Sequence, residues 1–363
     1  MNPTKVSWTE TLYNIWIVGS KDIVDALKSK ATRNSMIVVV ALLAFFYWSL
    51  SVRPFDKRVD AVVVPENGSS TFENTIDLGD GALIRFFPVS SVEEMQRSMG
   101  YRNLGLVVPE GFDAALEAGE EPVLTGYVNW FQRAKAADLE EIYSDLFSRA
   151  LGQPVRVAIQ GNSIIPRVNT LGNESTVAFH LVFITFFMVI SIVPFLMLEE
   201  RTTKTMEALL VSPLSATEIV LGKALAGVFY ALVIGTAWFL FNGMYVVNWG
   251  MALLAFLFIA LFSLAVSLVM GSIINDRRQL NLYNLPVTIL LIVPAFFAQE
   301  PNLVPGVRAY LEWLPTTALS RLMNASLSLG VTGGMLLKDL AISLGFTAII
   351  FAFVVWLIRR SDR

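Results

Sequence analysis

Residues with reactive side chains fall into three groups in this chain of 363 residues. The first group consists of paired carboxylates in the segment 53–175: Glu93, Glu94, Glu120, Glu121, Glu140 and Glu141. Two carboxylates can share general acid and base work, but only in a defined mutual geometry. Here Arg and Lys are interspersed among them, which is typical of a solvated surface. The pattern therefore favours an ordinary exposed face over a catalytic site.

The second group consists of polar residues within or at the ends of long apolar runs, where an ionisable or amide group is costly. They are His180, Asn242, Gln299 and Glu300. One interpretation is that some of them line a substrate path. The other, which we favour, is that lipid headgroups solvate His180, Gln299 and Glu300, and that Asn242 bonds a neighbouring helix.

Large aromatic residues occupy the same apolar runs as these polar groups. Phe186 and Phe187 precede the charged stretch at 199–223, and Trp238 and Asn242 follow it. Together they could form the wall of a substrate path, or they could face lipid and neighbouring helices. Both interpretations stay open, and these four residues are the substrate-path candidates.

The third group is a polar, charged island at 199–223, between apolar runs at 177–198 and 222–247. Within it, Met206, Leu209 and Leu210 recur at helical spacing, and a proline at 213 ends the pattern. The island therefore predicts a short amphipathic helix at the membrane surface. Held between two spans, such a helix is a natural place for a partner protein to push.

Several chemistries have no support in the sequence. There is no G-x-x-x-x-G-K-[ST] loop for ATP, and no G-x-S-x-G, H-E-x-x-H or G-x-G-x-x-G motif. The absence of cysteine excludes disulfides and thiolate sites, and a single histidine excludes a multi-histidine metal site within one chain. A net charge of −3 without Lys/Arg blocks gives no sign of nucleic acid binding. We expect neither catalysis nor a metal in this chain.

The composition is that of a membrane protein with several spans. Hydrophobic residues make up 55% of the chain and charged residues only 16%, and several apolar stretches are long enough to cross a bilayer. Six spans are predicted, at 35–52, 177–198, 222–247, 251–274, 282–297 and 340–358. Residues 1–34 form a basic amphipathic segment with tryptophan, which favours the membrane interface. Prolines break 299–337 into short helices that lie at the interface or dip into the membrane and return.

The segment 53–175 differs from the rest because it is charged and rich in glycine and proline. Strand patterns occur at 59–64, 83–89, 104–108, 123–128 and 155–159, and helical patterns lie between them at 92–99, 112–117 and 134–151. This alternation indicates an α/β domain. The predicted fold is a polytopic α-helical membrane protein with six transmembrane helices, in which this extracytoplasmic α/β domain is inserted between helices 1 and 2. The other five helices occupy 176–363.

The distribution of basic residues predicts the orientation. With six spans, one side of the membrane receives the following basic residues: Lys21, Lys28, Lys30, Arg33, Arg201, Lys204, Arg277, Arg278, Arg359, Arg360 and Arg363. By the positive-inside rule that side is cytoplasmic. We therefore expect a multi-pass protein of the cell membrane with both termini in the cytoplasm.

The charged island carries a family resemblance. Residues 200–215 read ERTTKTMEALLVSPLS and are followed by Glu218 and by Gly222-Lys223. This stretch resembles the signature of ABC-2-type transporter permeases. The large outer domain is similar to the branch with a long extracytoplasmic loop, which includes sodium-exporter and multidrug-exporter permeases. One departure is Lys204, because the family usually has glycine before the threonine.

The resemblance implies a permease subunit of an ABC exporter, whose ATP and Mg²⁺ are bound by two copies of a separate ATPase. A second permease chain, alike or different, would complete the pathway. The implied coupling helix is 202–211, and an N-terminal helix at 20–32 is the second ATPase contact. The implied contact residues are Glu199, Glu200, Arg201, Thr205, Glu207, Lys21 and Asp22. The alternative is a mechanotransmitter, which would move its extracytoplasmic domain without moving cargo.

Overall fold

A computed structural model gives the structure of the chain. It describes residues 8–51, 58–65, 72, 75–79, 81–100, 102–159, 161–167, 173–202, 216–298 and 303–361. The fold is mostly helical, with one α/β domain near the N-terminal end of the sequence. The predicted combination of membrane helices with an inserted α/β domain is therefore present.

The α/β domain is built on a mixed sheet. Its strands are β1 (Arg58–Val64), β2 (Ile76–Asp77), β3 (Leu83–Pro88), β4 (Leu104–Val107), β5 (Val123–Asn129), β6 (Arg156–Ala158) and β7 (Ser163–Ile164). Their order is β2-β3-β1-β4-β5-β6, and β7 also pairs with β5. The β1 strand is parallel to both of its neighbours, β3 and β4, whereas β5 is antiparallel to β4. The strand pattern predicted the main strands but not this order.

Helices cover the sheet: α3 (Val92–Ser98), α4 (Phe112–Glu117), a 3₁₀ turn (Trp130–Lys135) and α5 (Ala136–Leu151). Ser91 caps α3 by accepting a hydrogen bond from the backbone N–H of Glu94. Two clusters of buried side chains occur, one containing Phe72 and Phe147 and a smaller one containing Met95 and Met99. The domain therefore has a hydrophobic core of its own.

The remaining elements are helical. They are α1 (Trp8–Lys28), α2 (Lys30–Ser51), α6 (Asn173–Thr202), α7 (Ala216–Asn242), a 3₁₀ turn (Gly243–Tyr245), α8 (Trp249–Ile273), α9 (Arg277–Phe297), α10 (Pro305–Leu311), α11 (Pro315–Ser326) and α12 (Gly333–Ser361). Five of these helices, α6 to α9 and α12, are long and apolar enough to cross a membrane. In α2 the apolar stretch Thr32–Phe45 is shorter than a span, so a sixth crossing stays a prediction.

Several helices begin before the predicted spans, because polar residues belong to the helices: α6 begins at Asn173 and not at 177, and α12 begins at Gly333 and not at 340. The α9 helix begins at Arg277 and not at 282, since the Asp276 side chain accepts a hydrogen bond from the Gln279 N–H. The α7 helix begins at Ala216 and not at 222, since Glu218 and Lys223 are buried on it.

The helices α6, α7 and α8 pack closely. Phe186 on α6 lies against Phe262 on α8, with ring centroids 5.5 Å apart. A Cβ added to Gly235 on α7 would lie 2.2 Å from the Phe256 ring on α8, so glycine is needed for this approach. By contrast, α9 and α12 leave most of their apolar surface uncovered. The α9 helix also contains two prolines, Pro286 and Pro294.

The short helix α11 is almost wholly buried although it cannot cross a membrane. Its Ser326 carbonyl accepts hydrogen bonds from the backbone N–H groups of Val247 and Asn248, at 3.0 and 2.9 Å. Asn324 donates to the Ser175 hydroxyl at 3.1 Å, at the start of α6. These contacts hold α11 at the end of the helices that adjoins the α/β domain, which we call the domain end. Whether α11 forms part of a re-entrant segment stays a prediction.

Candidate functional site

The predicted coupling segment lies mainly outside the described residues. Glu199, Glu200 and Arg201 belong to the last turns of α6, which ends at Thr202. Thr205, Glu207 and most of the coupling helix at 202–211 fall in the stretch 203–215, of which the structure describes nothing. The role of these residues therefore stays a prediction. The structure does describe the start of α7, which follows this stretch in the sequence.

The start of α7 is in close contact with α1. A Cβ added to Gly222 would lie 2.5 Å from Cγ1 of Val18, and one added to Gly19 would lie 3.0 Å from the Gly222 carbonyl oxygen. Side chains larger than hydrogen would push the two helices apart. The pair of glycines therefore sets the distance between the two helix backbones.

A buried ion pair joins the same two helices. Nζ of Lys223 lies 3.3 Å from Oδ2 of Asp22, and the two side chains are only 1% and 4% exposed. Removing water from a charged pair is costly, but leaving either charge alone costs more. Asp22 therefore faces the interior of the chain and not a partner protein. Any part that it takes in coupling would depend on the position of α1.

Two further hydrogen bonds extend this contact along both helices. Asn14 donates to the Glu218 carboxylate at 3.0 Å, and the Tyr230 hydroxyl donates to the Ile23 carbonyl at 2.8 Å. The paired residue numbers rise together, so α1 and α7 run in the same direction. We call this whole surface the α1–α7 contact. A displacement of α1 would be passed directly to α7.

The remaining surface of α1 is divided between charged and apolar residues. Lys21 is exposed, as expected of a contact residue, near the exposed Asp25 and Lys28. Seven large apolar residues are also exposed: Trp8, Leu12, Tyr13, Trp16, Ile17, Val24 and Leu27. At 100° per residue these occupy a different side of the helix from the one that contacts α7. An exposed apolar side with tryptophan is consistent with the predicted location at the membrane interface.

Two of the substrate-path candidates lie inside the core of the chain. Trp238 and Phe186 are fully buried, and Trp238 packs edge-on against Phe239 at a centroid distance of 5.1 Å. Among the described residues, the Trp238 indole Nε1 has no hydrogen-bond partner. This burial is what core packing produces, and a path along these side chains stays a prediction.

Of the four polar candidates, Asn242 and His180 are buried, whereas Gln299 and Glu300 lie outside the described residues. Asn242 donates to the carbonyl of Trp238, one turn earlier in its own helix, at 3.2 Å. The expected bond to a neighbouring helix is therefore replaced by a bond within α7. His180 is 8% exposed and not solvated at an interface, because α6 is enclosed by its neighbours. Phe187 is half-buried and stacks on Phe183 at 6.2 Å.

A second ionic cluster at the domain end was not predicted. Arg321 on α11 binds Asp339 on α12 through Nε and Nη2, and its Nη2 also donates to the Glu312 carbonyl at 3.1 Å. Lys338 donates to the Glu312 carboxylate at 2.9 Å. The available signal was a carboxylate next to an apolar run, since such a group normally has a nearby partner.

Lys223 was also missed as a site residue, although it is a lone lysine in the apolar run after 219. Within the described part of the chain, no group of three or more His, Asp or Glu side chains could hold a metal ion.

The sequence of the chain matches one known protein family. The sequence model of the family described as ABC-2 family transporter protein matches residues 30–359 of the chain. The match includes the α/β domain, the charged island and all five candidate spans. No curated protein matches the chain.

Proposed function

The chain belongs to the ABC-2 family of transporter proteins and is a membrane component of an ABC transporter, and we propose that it is the permease of an exporter driven by a separate ATPase. Members of this family generally work with an ABC ATPase and do not themselves catalyse hydrolysis. The direction of transport and the coupling described below belong to the proposal.

The α1–α7 contact is the observation that carries the proposal. The α7 helix begins directly after the proposed coupling helix at 202–211, and α1 is the other proposed ATPase contact. The buried Asp22–Lys223 pair and the Gly19–Gly222 approach join these two inputs. A push by an ATPase on either element would therefore reach the same membrane helix.

The proposed orientation puts α1 and the coupling helix in the cytoplasm. The α/β domain and α11 then lie outside the cell, because they are at the opposite end of α7. The excess of Lys and Arg beside the proposed cytoplasmic helix ends supports this orientation. Both termini would be cytoplasmic and the protein would reside in the cell membrane.

The proposed assembly contains two ATPase subunits and two permease chains, which are either identical or different. ATP and Mg²⁺ would bind to the ATPase subunits alone. The broad uncovered surfaces of α9 and α12 are available to lipid and to the second permease chain.

Charge reversal in the proposed coupling helix tests this function. Glu207→Lys should leave the complex assembled but lower ATP-dependent transport in proteoliposomes, assayed with alkali cations, fluorescent lipids and amphipathic dyes. The matched control is Glu141→Lys, on the exposed surface of α5. Unchanged transport by the Glu207 variant would exclude the assigned coupling role.

The mechanotransmitter remains the second candidate, because the α/β domain is attached to the end of α7. The Phe131 ring stacks on Tyr245 with centroids 4.8 Å apart. Deleting residues 56–174 separates the two functions. A mechanotransmitter loses all activity without this segment, whereas an exporter keeps ATPase activity that responds to its substrate.

A further inference from the structure

The 3₁₀ turn Trp130–Lys135 of the α/β domain contacts the domain end of α7. The stacked rings of Phe131 and Tyr245 form the apolar part of this attachment. The polar part is Arg133, whose Nη1 donates to the carbonyl oxygens of Trp130 at 2.7 Å and Met244 at 2.8 Å. The Arg133 guanidinium also lies 3.8 Å from the centre of a Trp130 ring.

Arg133 thus bridges two 3₁₀ turns that are 111 residues apart in sequence. Its planar guanidinium can donate to two carbonyls and stack on an aromatic ring at the same time, which lysine cannot do. A half-buried charge held by three contacts fixes the angle at which the domain meets the helix.

The opposite end of α7 is fastened to α1 by the α1–α7 contact. Between the two attachments, α7 is a continuous helix without proline, about 40 Å long at 1.5 Å per residue. Close packing against α8 at Gly235, and of Gly227 against Val193 on α6, restrains it laterally. A helix restrained in this way transmits displacement along its length with little bending.

We propose that α1, α7 and the α/β domain move as one rigid body, with Arg133 and the Asp22–Lys223 pair as the positioning residues at its two joints. Its use, to carry an ATPase-driven displacement of α1 to the α/β domain, rests on the proposed function. The rigid body itself does not.

The domain has a second attachment, in which the contacts are made by backbone groups. The Leu329 N–H, in the loop between α11 and α12, donates to the Pro166 carbonyl at 2.8 Å, and Arg167 and Leu329 form an isolated bridge. These are backbone contacts close to the point where the chain leaves the domain. Arg133 is therefore the side chain whose removal should loosen the domain.

Spin labels can measure this rigidity, because the chain contains no cysteine. Asp25→Cys on α1 and Glu141→Cys on α5 are exposed positions at the two ends of the proposed body. In the full chain in lipid nanodiscs, double electron–electron resonance should give a single narrow distance. Arg133→Ala should replace that peak with a broad distribution. The control Arg149→Ala, on the surface of α5, should keep it. A broad wild-type distribution, or a narrow one in Arg133→Ala, would overturn the proposal.

The other joint needs a pair of variants, since a single substitution could unfold the contact. Lys223→Met removes the positive charge beside the buried Asp22 carboxylate and should broaden the same distance distribution. Asp22→Leu with Lys223→Met removes both charges and leaves no unpaired charge in the contact, and it should restore the narrow peak. A double variant as broad as the single one contradicts the assigned joint.

A final measurement separates this inference from the proposed function. In the complex with the ATPase, trapping with ATP and vanadate should leave the Asp25–Glu141 distance unchanged while the distance from Glu141→Cys to Gly334→Cys on α12 shifts. A change in the first distance contradicts the rigid body. Failure of any ATPase to associate contradicts the proposed function and leaves the nanodisc result to decide the inference.

Discussion

Lys223 and Asp22 are 201 positions apart in sequence, yet their charged groups lie 3.3 Å apart in a contact that excludes solvent. The pair joins α7, which begins within the charged island, to α1. Its burial makes the contact sensitive to the loss of either charge and tolerant of the loss of both.

The first prediction concerns this asymmetry in stability. Lys223→Met should lower the free energy of unfolding by about 3–5 kcal/mol, because the Asp22 carboxylate stays buried after the positive charge of Lys223 is removed. The double variant with Asp22→Leu should recover most of that loss. Unfolding in mixed micelles on titration with dodecyl sulfate measures both values. Equal losses in the single and double variants would show that the charges do not interact.

The second prediction concerns the approach of α1 to α7. Gly222→Ala should cost about 1–3 kcal/mol, because its Cβ would lie 2.5 Å from Val18 Cγ1 and the helices must separate. The same unfolding assay measures the loss.

The control for that substitution is Gly345→Ala in α12. Apart from the backbone of α12 itself, no heavy atom of the described residues lies within 4 Å of the added Cβ, so the change should stabilise the helix by about 0.5–1 kcal/mol. If both alanines had the same effect, close packing would not explain the glycine at 222.

The third prediction concerns the attachment of α11 to α12. Arg321→Ala removes the guanidinium that binds the buried Asp339 carboxylate. It should lower the free energy of unfolding by about 3–5 kcal/mol. Hydrogen exchange of the α11 amides should rise with it. Arg97→Ala, which removes an exposed i,i+4 pair with Glu93, should cost only about 0–1 kcal/mol.

The fourth prediction concerns acid. Burial raises the pKa of Glu312. The hydrogen bond from Lys338 and the charges of Arg321, Lys338 and Arg308 lower it by more, so that the pKa lies below its ordinary value of 4.5. A depressed carboxylate pKa contributes stability above the unfolded value, and this contribution is lost as the pH falls through the folded value.

The melting temperature should therefore fall below about pH 4.5, and Glu312→Gln should remove part of that dependence. Lys338→Met should make this fall smaller, because it removes the hydrogen bond that lowers the pKa of Glu312 and so reduces the difference between the folded and unfolded pKa values. Thermal melts between pH 3 and 7 test both variants, and identical acid profiles would contradict the assignment.

Local patterns in the sequence were enough for much of the fold. Apolar length predicted α6, α8 and α12, and β-branched runs such as Val59–Val64 predicted the main strands. The start of α7 could not be predicted, because Lys223 enters an apolar helix only when Asp22 is beside it. The antiparallel orientation of β5 likewise depends on pairing across the sheet, which the alternation of residues within one strand does not encode.

The site was harder to predict than the fold. Residues of the charged island such as Glu207 belong to a family sequence pattern, so their role could be proposed from the sequence. No sequence pattern around Arg133 indicates its contact with α7. Arg133 lies among other charged residues of a surface segment, and only folding brings it to the Met244 carbonyl. Contacts between distant segments are therefore the part that sequence reasoning missed.

The two prolines of α9 have a mechanical consequence. Each lacks an N–H, so the carbonyls of Leu282 and Leu290 lose their usual helical donors, and bending at these points costs less than elsewhere. Both of these leucines are exposed, so neighbouring helices do not brace the weakened turns. The α9 helix can therefore bend at these two turns at a lower free-energy cost than an unbroken helix.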